Sequence, residues 1–132
     1  MDFEWGDVIL KVSELFSRAL ALLNEDESRA KSFKKNVLPL VNQILAQTLS
    51  AENAIRDAAG EARLDEAQKV SGFDEDICYN KNFAEECFPY ALAALLCADD
   101  DKPMSNAMGD EFERLKKKYS VANFEDINNC YA

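Results

Sequence analysis

The sequence predicts an all-α protein, a small bundle of about five helices with a long, partly extended connector or hairpin. Three observations predict it. Apolar residues recur at three- and four-residue spacing along most of the chain. Glycine (4) and proline (3) are scarce among the 132 residues, so few turns are written in. One stretch, 61–81, stands apart because it carries no sustained helical stripe.

The first helix is expected over about 3–24, from Val8, Val12, Leu15/Phe16, Ala19 and Leu22/Leu23. Asn24 and the polar run from Glu25 to Ser28 end it and offer caps for the next. A second helix reads from about 28 to 48, with Phe33, Val37, Leu40/Val41, Ile44/Leu45 and Leu49 on its stripe. Pro39 lies inside it, which predicts a kink near 35–39 or a new helix starting there. A third stretch runs from Ala51 to Ala59, and Gly60 is placed to end it in the left-handed conformation.

The connector holds Ser71-Gly72 as a turn signal and short β-compatible pieces around Val70 and Ile77-Cys78-Tyr79. A connection this long in a small domain is usually functional or pinned to something. Helix resumes at about 82, where Asn82 is read as the cap and Glu85 as the reaching-back acid of a capping box. The run from Ala91 to Cys97 is apolar all round, marking the most buried helix. Asp99-Asp100-Asp101 ends it and caps a last helix of about 103–119, with Pro103 in its first turn and Met104, Met108, Phe112, Leu115 and Tyr119 on one face. The chain then reads as one helical domain, 1–120, and a docking tail, 121–132. That tail holds Val121, Phe124, Ile127 and Tyr131 without a clear helical repeat.

Charge and composition narrow the function. The formal net charge is −10, and residues 57–101 hold 12 acids against 3 bases. Sequence-independent nucleic-acid binding needs a basic face, so this balance argues against it. The basic clusters Lys34-Lys35 and Lys116-Lys117-Lys118 lie in helical sequence and read as solvated faces. The chain has no histidine, which removes Ser–His–Asp and Cys–His nucleophiles and imidazole-held zinc. The four cysteines form no C-x-x-C and read as reduced thiols, those at 87 and 97 buried in helix. Gly60, Gly72 and Gly109 stand isolated and form no phosphate loop. Of the carboxylate runs 74–76 and 99–101, Asp99-x-Asp101-x-Pro103 lacks the third ligand and the glycine of a calcium loop, and helix capping and solvation account for both runs better. No catalytic residue, cofactor or metal is expected. There is no apolar run of membrane-spanning length, and the acidic start of the chain is unlike a secretory signal, so synthesis in a cytoplasm is expected.

One pattern goes further. An amphipathic first helix is followed by a proline-interrupted one, FKKNVLPLVNQILAQTL, and then by an acidic connector. After these come FDEDICYNKNFAEECFPYALAALLCADDDKP and a helix ending FERLKKKY. This layout resembles the small helical head–tail connector proteins of long-tailed bacteriophages (adaptor or head-completion proteins). The likeness covers about 8–120 and is specific over about 73–119, best in FPYALAALLCADDD.

The resemblance implies a structural virion protein at the head–tail interface, with no enzymatic role. About twelve copies would form a ring beneath the portal protein, extend the DNA channel and present a platform to the next tail or neck completion protein. DNA would pass through without specific binding. An acidic lumen suits this, and Asp65, Glu66, Asp74, Glu75 and Asp76 are the candidates to line it. Val70, Phe73, Ile77 and Tyr79 of the connector and Phe124, Ile127 and Tyr131 of the tail are the candidates to meet neighbours. Trp5 reads equally as an interface anchor or as packing on its own domain. The alternative is an acidic inhibitor or DNA mimic that occupies a basic groove on a host protein.

Overall fold

A computed structural model describes the chain at residues 10–25 and 27–131, with side chains described at 10–25 and 29–119. Among the described residues there are five helices: α1 (Val12–Leu23), α2 (Glu27–Gln47), α3 (Leu49–Ala59), α4 (Lys81–Leu96) and α5 (Lys102–Tyr131). The all-α class is therefore as the apolar spacing predicts. Helix α4 is the hub, and α1, α2 and α5 each pack on it, while α3 reaches α5.

The ends of α1 show how local chemistry and long-range pairing share the work. Asn24 adopts the left-handed conformation (φ 58°) and closes the helix. At the other end the expected start near residue 3 is corrected to Val12. Leu10 and Lys11 are extended and pair with the connector through an antiparallel bridge, Lys11 to Asp76. The Ile77 N–H donates to the Leu10 carbonyl at 2.8 Å. The first N–H groups of α1, on Val12 and Ser13, donate to the Glu75 and Phe73 carbonyls at 3.0 and 2.9 Å. A helix start needs acceptors for such groups, and the connector supplies them. Residues 1–9, Trp5 among them, lie outside the described residues.

Helix α2 runs unbroken through Pro39, so no new helix begins there. Its stripe buries Phe33, Val37, Val41, Ile44 and Leu45. At Thr48 the hydroxyl donates to the Ile44 carbonyl at 2.7 Å, and the chain turns into α3. Gly60 ends α3 at φ 76°, a conformation that disfavours any side chain.

The cap of helix α4 lies two residues earlier than expected. Asn80, not Asn82, is its cap, accepting from the Phe83 N–H at 3.0 Å. The expected capping-box acid, Glu85, is not the one that reaches the cap. The Asn80 N–H donates instead to Glu52 of α3, at 2.8 Å. As expected, α4 is the most buried helix, with Phe83, Cys87, Phe88 and Leu92 fully enclosed. The rings of Phe83 and Phe88 meet edge to face at 5.5 Å, and Tyr79 meets Phe88 at 5.9 Å. Burial pushes the Cys87 thiol up to about 12. Cys97 is buried as well, and Cys78 is exposed.

Asp101 caps α5 as expected, accepting from the Met104 N–H at 3.1 Å. Helix α5 lies antiparallel to α4. The Ser105 hydroxyl donates to the Ala94 carbonyl at 2.8 Å, and the Tyr119 hydroxyl to Glu86 at 2.7 Å. Of the expected stripe, Phe112 and Leu115 are buried, while Met108 and Tyr119 pack on the core from its edge. The reading of the tail as lacking a helical repeat is corrected in its backbone, which stays helical to Tyr131. No glycine or proline follows Gly109 to stop it, and Val121, Phe124, Ile127 and Tyr131 are spaced by three, three and four residues. The side chains of Phe124, Ile127 and Tyr131 lie outside the described residues.

Tyr79 illustrates how the core ties to the connector. Its hydroxyl donates to the Leu45 carbonyl of α2 at 2.6 Å. Burial is the main cause that raises this phenol from 10.0 to about 12. A raised acid favours its neutral form in the fold. Its contribution is thus whole below pH 10 and is lost as pH climbs through about 12. Tyr79→Phe is expected to cost about 1 kcal/mol at neutral pH. It should also flatten part of the alkaline loss, seen as a smaller fall in urea midpoint between neutral pH and about pH 11.

Candidate functional site

The connector is the most distinctive surface of the fold, and it forms no hairpin. It is extended backbone held by side chains from the helices beneath it. Asn53 of α3 brackets Leu64, donating to its carbonyl at 3.0 Å and accepting from its N–H at 2.7 Å. Asn42 of α2 does the same to Val70, at 3.0 and 2.7 Å. Gln68 spans the connector itself, donating to the Asp76 carbonyl and accepting from the Cys78 N–H at 2.7 and 2.8 Å. Each amide supplies one donor and one acceptor, so it stands in for a missing neighbouring strand. Asn42→Ala removes both partners of Val70. It is expected to cost about 1–3 kcal/mol and to speed exchange of the Val70 amide hydrogen.

Glu52 and Arg56 anchor the connector at both ends. The Glu52 side chain is 1% exposed and accepts from Arg56 Nε at 2.7 Å. Arg56 then donates to the carbonyls of Ala62 and Cys78 at 3.3 and 3.1 Å. Both ends of the connector thus converge on one ion pair one helical turn long.

This clamp decides where the candidate residues lie. Val70, Ile77 and Tyr79 are buried to 4% exposure or less in the chain's own core. Their reading as surfaces for neighbours is corrected, because they are the apolar pegs that seat the connector. Phe73 is half-buried, beside the Phe16 ring at 6.2 Å with the Lys34 ammonium above it at 5.4 Å. The carboxylate candidates all lie on the connector. Asp65, Glu66, Asp74 and Asp76 are exposed and Glu75 is half-buried. Asp76 pairs with Lys11 at 3.1 Å. Glu75 accepts from the Ser71 hydroxyl and N–H at 2.7 and 2.8 Å, and these bonds hold it below the usual carboxylate range. Among the described residues, no group of three or more Cys, Asp or Glu is placed to hold a metal ion.

A second feature lies between α4 and α5. It is an open groove of about 620 Å³, lined in part by Ala91, Ala94, Ala98 and Gly109. Its charged lining residues are Asp110 and Glu113. Among the described residues, no helix is long and apolar enough to cross a membrane.

The clamp residues Asn42, Asn53, Glu52, Arg56 and Gln68 escape a reading based on apolar periodicity. The available signal was polar side chains on stripe positions: Asn42 beside Val41, and Glu52-Asn53 where α3 turns inward. No protein-family model, curated protein or solved structure matches this chain.

Proposed function

We propose that this protein is a structural component of a tailed-phage neck. Copies of it assemble as a ring of about twelve that joins the portal to the tail and extends the DNA channel. The observation that carries this reading is the clamped acidic connector. Four exposed carboxylates, Asp65, Glu66, Asp74 and Asp76, sit on backbone that the chain's own amides hold in place. A fixed negative wall repels the phosphate backbone and lets a duplex slide. The resemblance of FPYALAALLCADDD and FERLKKKY to the connector family supports the same reading. The partners are further copies of the chain, the portal protein and the next neck or tail protein, and the place of action is the head–tail interface of the virion.

Capture on portal protein tests the reading. The chain is expected to stay with the portal assembly at both low and high salt, because permanent interfaces are large and apolar. Loss of binding at all salt concentrations would overturn it. Strong binding to basic host proteins, lost as salt rises, would instead favour the acidic inhibitor.

A further inference from the structure

Two patches of opposite charge lie where one copy cannot bring them together. The first is the groove between α4 and α5. Small residues, Ala91, Ala94, Ala98 and Gly109, line it beside Leu95 and Phe112, and its charged lining residues are both acidic, Asp110 and Glu113. Glu113 also pairs with Lys116, three residues further along α5, at 3.3 Å.

The second patch is a basic ridge on the first half of α2. Lys31, Lys34 and Lys35 are all exposed, and their spacing puts them on one helix face. From Arg29 to Gln47 this helix carries no acid. Phe73, half-buried under Lys34, supplies an apolar centre beside the ridge.

Geometry keeps the two patches apart within one copy. Gln47, at the end of α2, lines the groove. Lys31 and Lys35 lie 12–16 residues earlier on the same helix, roughly 18–24 Å away at 1.5 Å per residue. The patches are different surfaces, so a contact between them is head-to-tail rather than two-fold. Repeated head-to-tail contacts close into rings or run on as filaments.

We infer that the α4–α5 groove receives the Lys31–Lys35 ridge of a second copy of this chain, with Asp110 and Glu113 facing the lysines. This rests on the ring reading and deepens it by naming the two faces of the subunit contact. Charge complementarity selects the occupant. An acid-rimmed groove disfavours the acidic connector and the acidic α4–α5 turn of a neighbour. Two described helix segments are basic and free of acids, 29–47 of α2 and 114–119 of α5. In the second, Arg114, Lys116 and Lys118 already pair with Glu111, Glu113 and Glu86 of their own copy. Among the described residues Lys31, Lys34 and Lys35 have no such carboxylate partner, which favours the α2 ridge.

A charge-swap cycle tests it. One variant carries Asp110→Lys and Glu113→Lys; the other carries Lys31→Glu and Lys35→Glu. All four side chains are exposed, so both variants are expected to keep the wild-type helical circular dichroism. Each variant alone sets like charges against each other, and its self-association is expected to weaken by roughly tenfold or more in sedimentation velocity. Mixed in equal amounts, each groove meets a ridge of opposite sign, and assembly should return.

Wild-type assembly together with undiminished assembly of both single variants would overturn the named faces and leave the ring reading intact. Loss in the variants without recovery on mixing would also overturn them. A wild-type chain that stays monomeric at every concentration would overturn this contact, while capture on portal protein would still decide the ring reading on its own.

Discussion

Glu52→Ala is expected to lower the stability of the fold by about 3 kcal/mol, the lower end of the range for breaking a buried ion pair. The carboxylate is 1% exposed and has two partners, Arg56 Nε at 2.7 Å and the Asn80 N–H at 2.8 Å. Alanine leaves the Asn80 N–H without its acceptor at the first turn of the central helix. It also frees Arg56, which is 19% exposed, from the carboxylate that aims it at Ala62 and Cys78. Partial exposure of Arg56 lets water recover some of its charge solvation, which is why the lower end of the range applies. Glu52→Gln keeps an acceptor for Asn80 and should cost less. Urea denaturation of the three proteins checks the order. A loss for Glu52→Ala within about 0.5 kcal/mol, the level of an ordinary surface change, would show that the clamp is not what holds the connector.

Phe88→Ala is expected to cost about 3–5 kcal/mol, more than Glu52→Ala. Phe88 is fully enclosed on the hub helix, and its ring makes edge contacts with Tyr79 and Phe83. Truncation opens a cavity where α4 meets the connector, and the neighbours are themselves held, Tyr79 by its bond to Leu45. Collapse into the space is therefore limited. Phe88→Leu keeps most of the volume and should cost less than about 1.5 kcal/mol. The comparison by chemical denaturation separates lost packing from lost ring geometry.

The helices were legible because they are written locally. Apolar spacing marks α1 to α5, Asn24 and Gly60 mark two ends, and Asp101 marks a start. The errors occur where a distant segment decides. Residues before Val12 continue an apolar spacing, yet Leu10 and Lys11 pair with the connector through Ile77 and Asp76. Asn80 and Asn82 are equivalent as caps in sequence. Glu52, 28 residues away, accepts the Asn80 N–H and so favours the earlier one. Val70, Ile77 and Tyr79 read from sequence as candidates to meet neighbours, because the connector shows no helical stripe to seat them. Extended backbone buries residues just as well once Asn42, Asn53 and Gln68 satisfy its hydrogen bonds. The carboxylate segment was legible as a charge density, whereas the clamp that presents it depends on contacts that no local pattern encodes.

Native mass spectrometry of the purified chain over a wide concentration range, alone and with portal protein, tests the ring most directly. A closed ring requires a discrete species near twelve copies that persists as the chain is diluted. A monomer or dimer at every concentration, with portal protein present as well as absent, would contradict it.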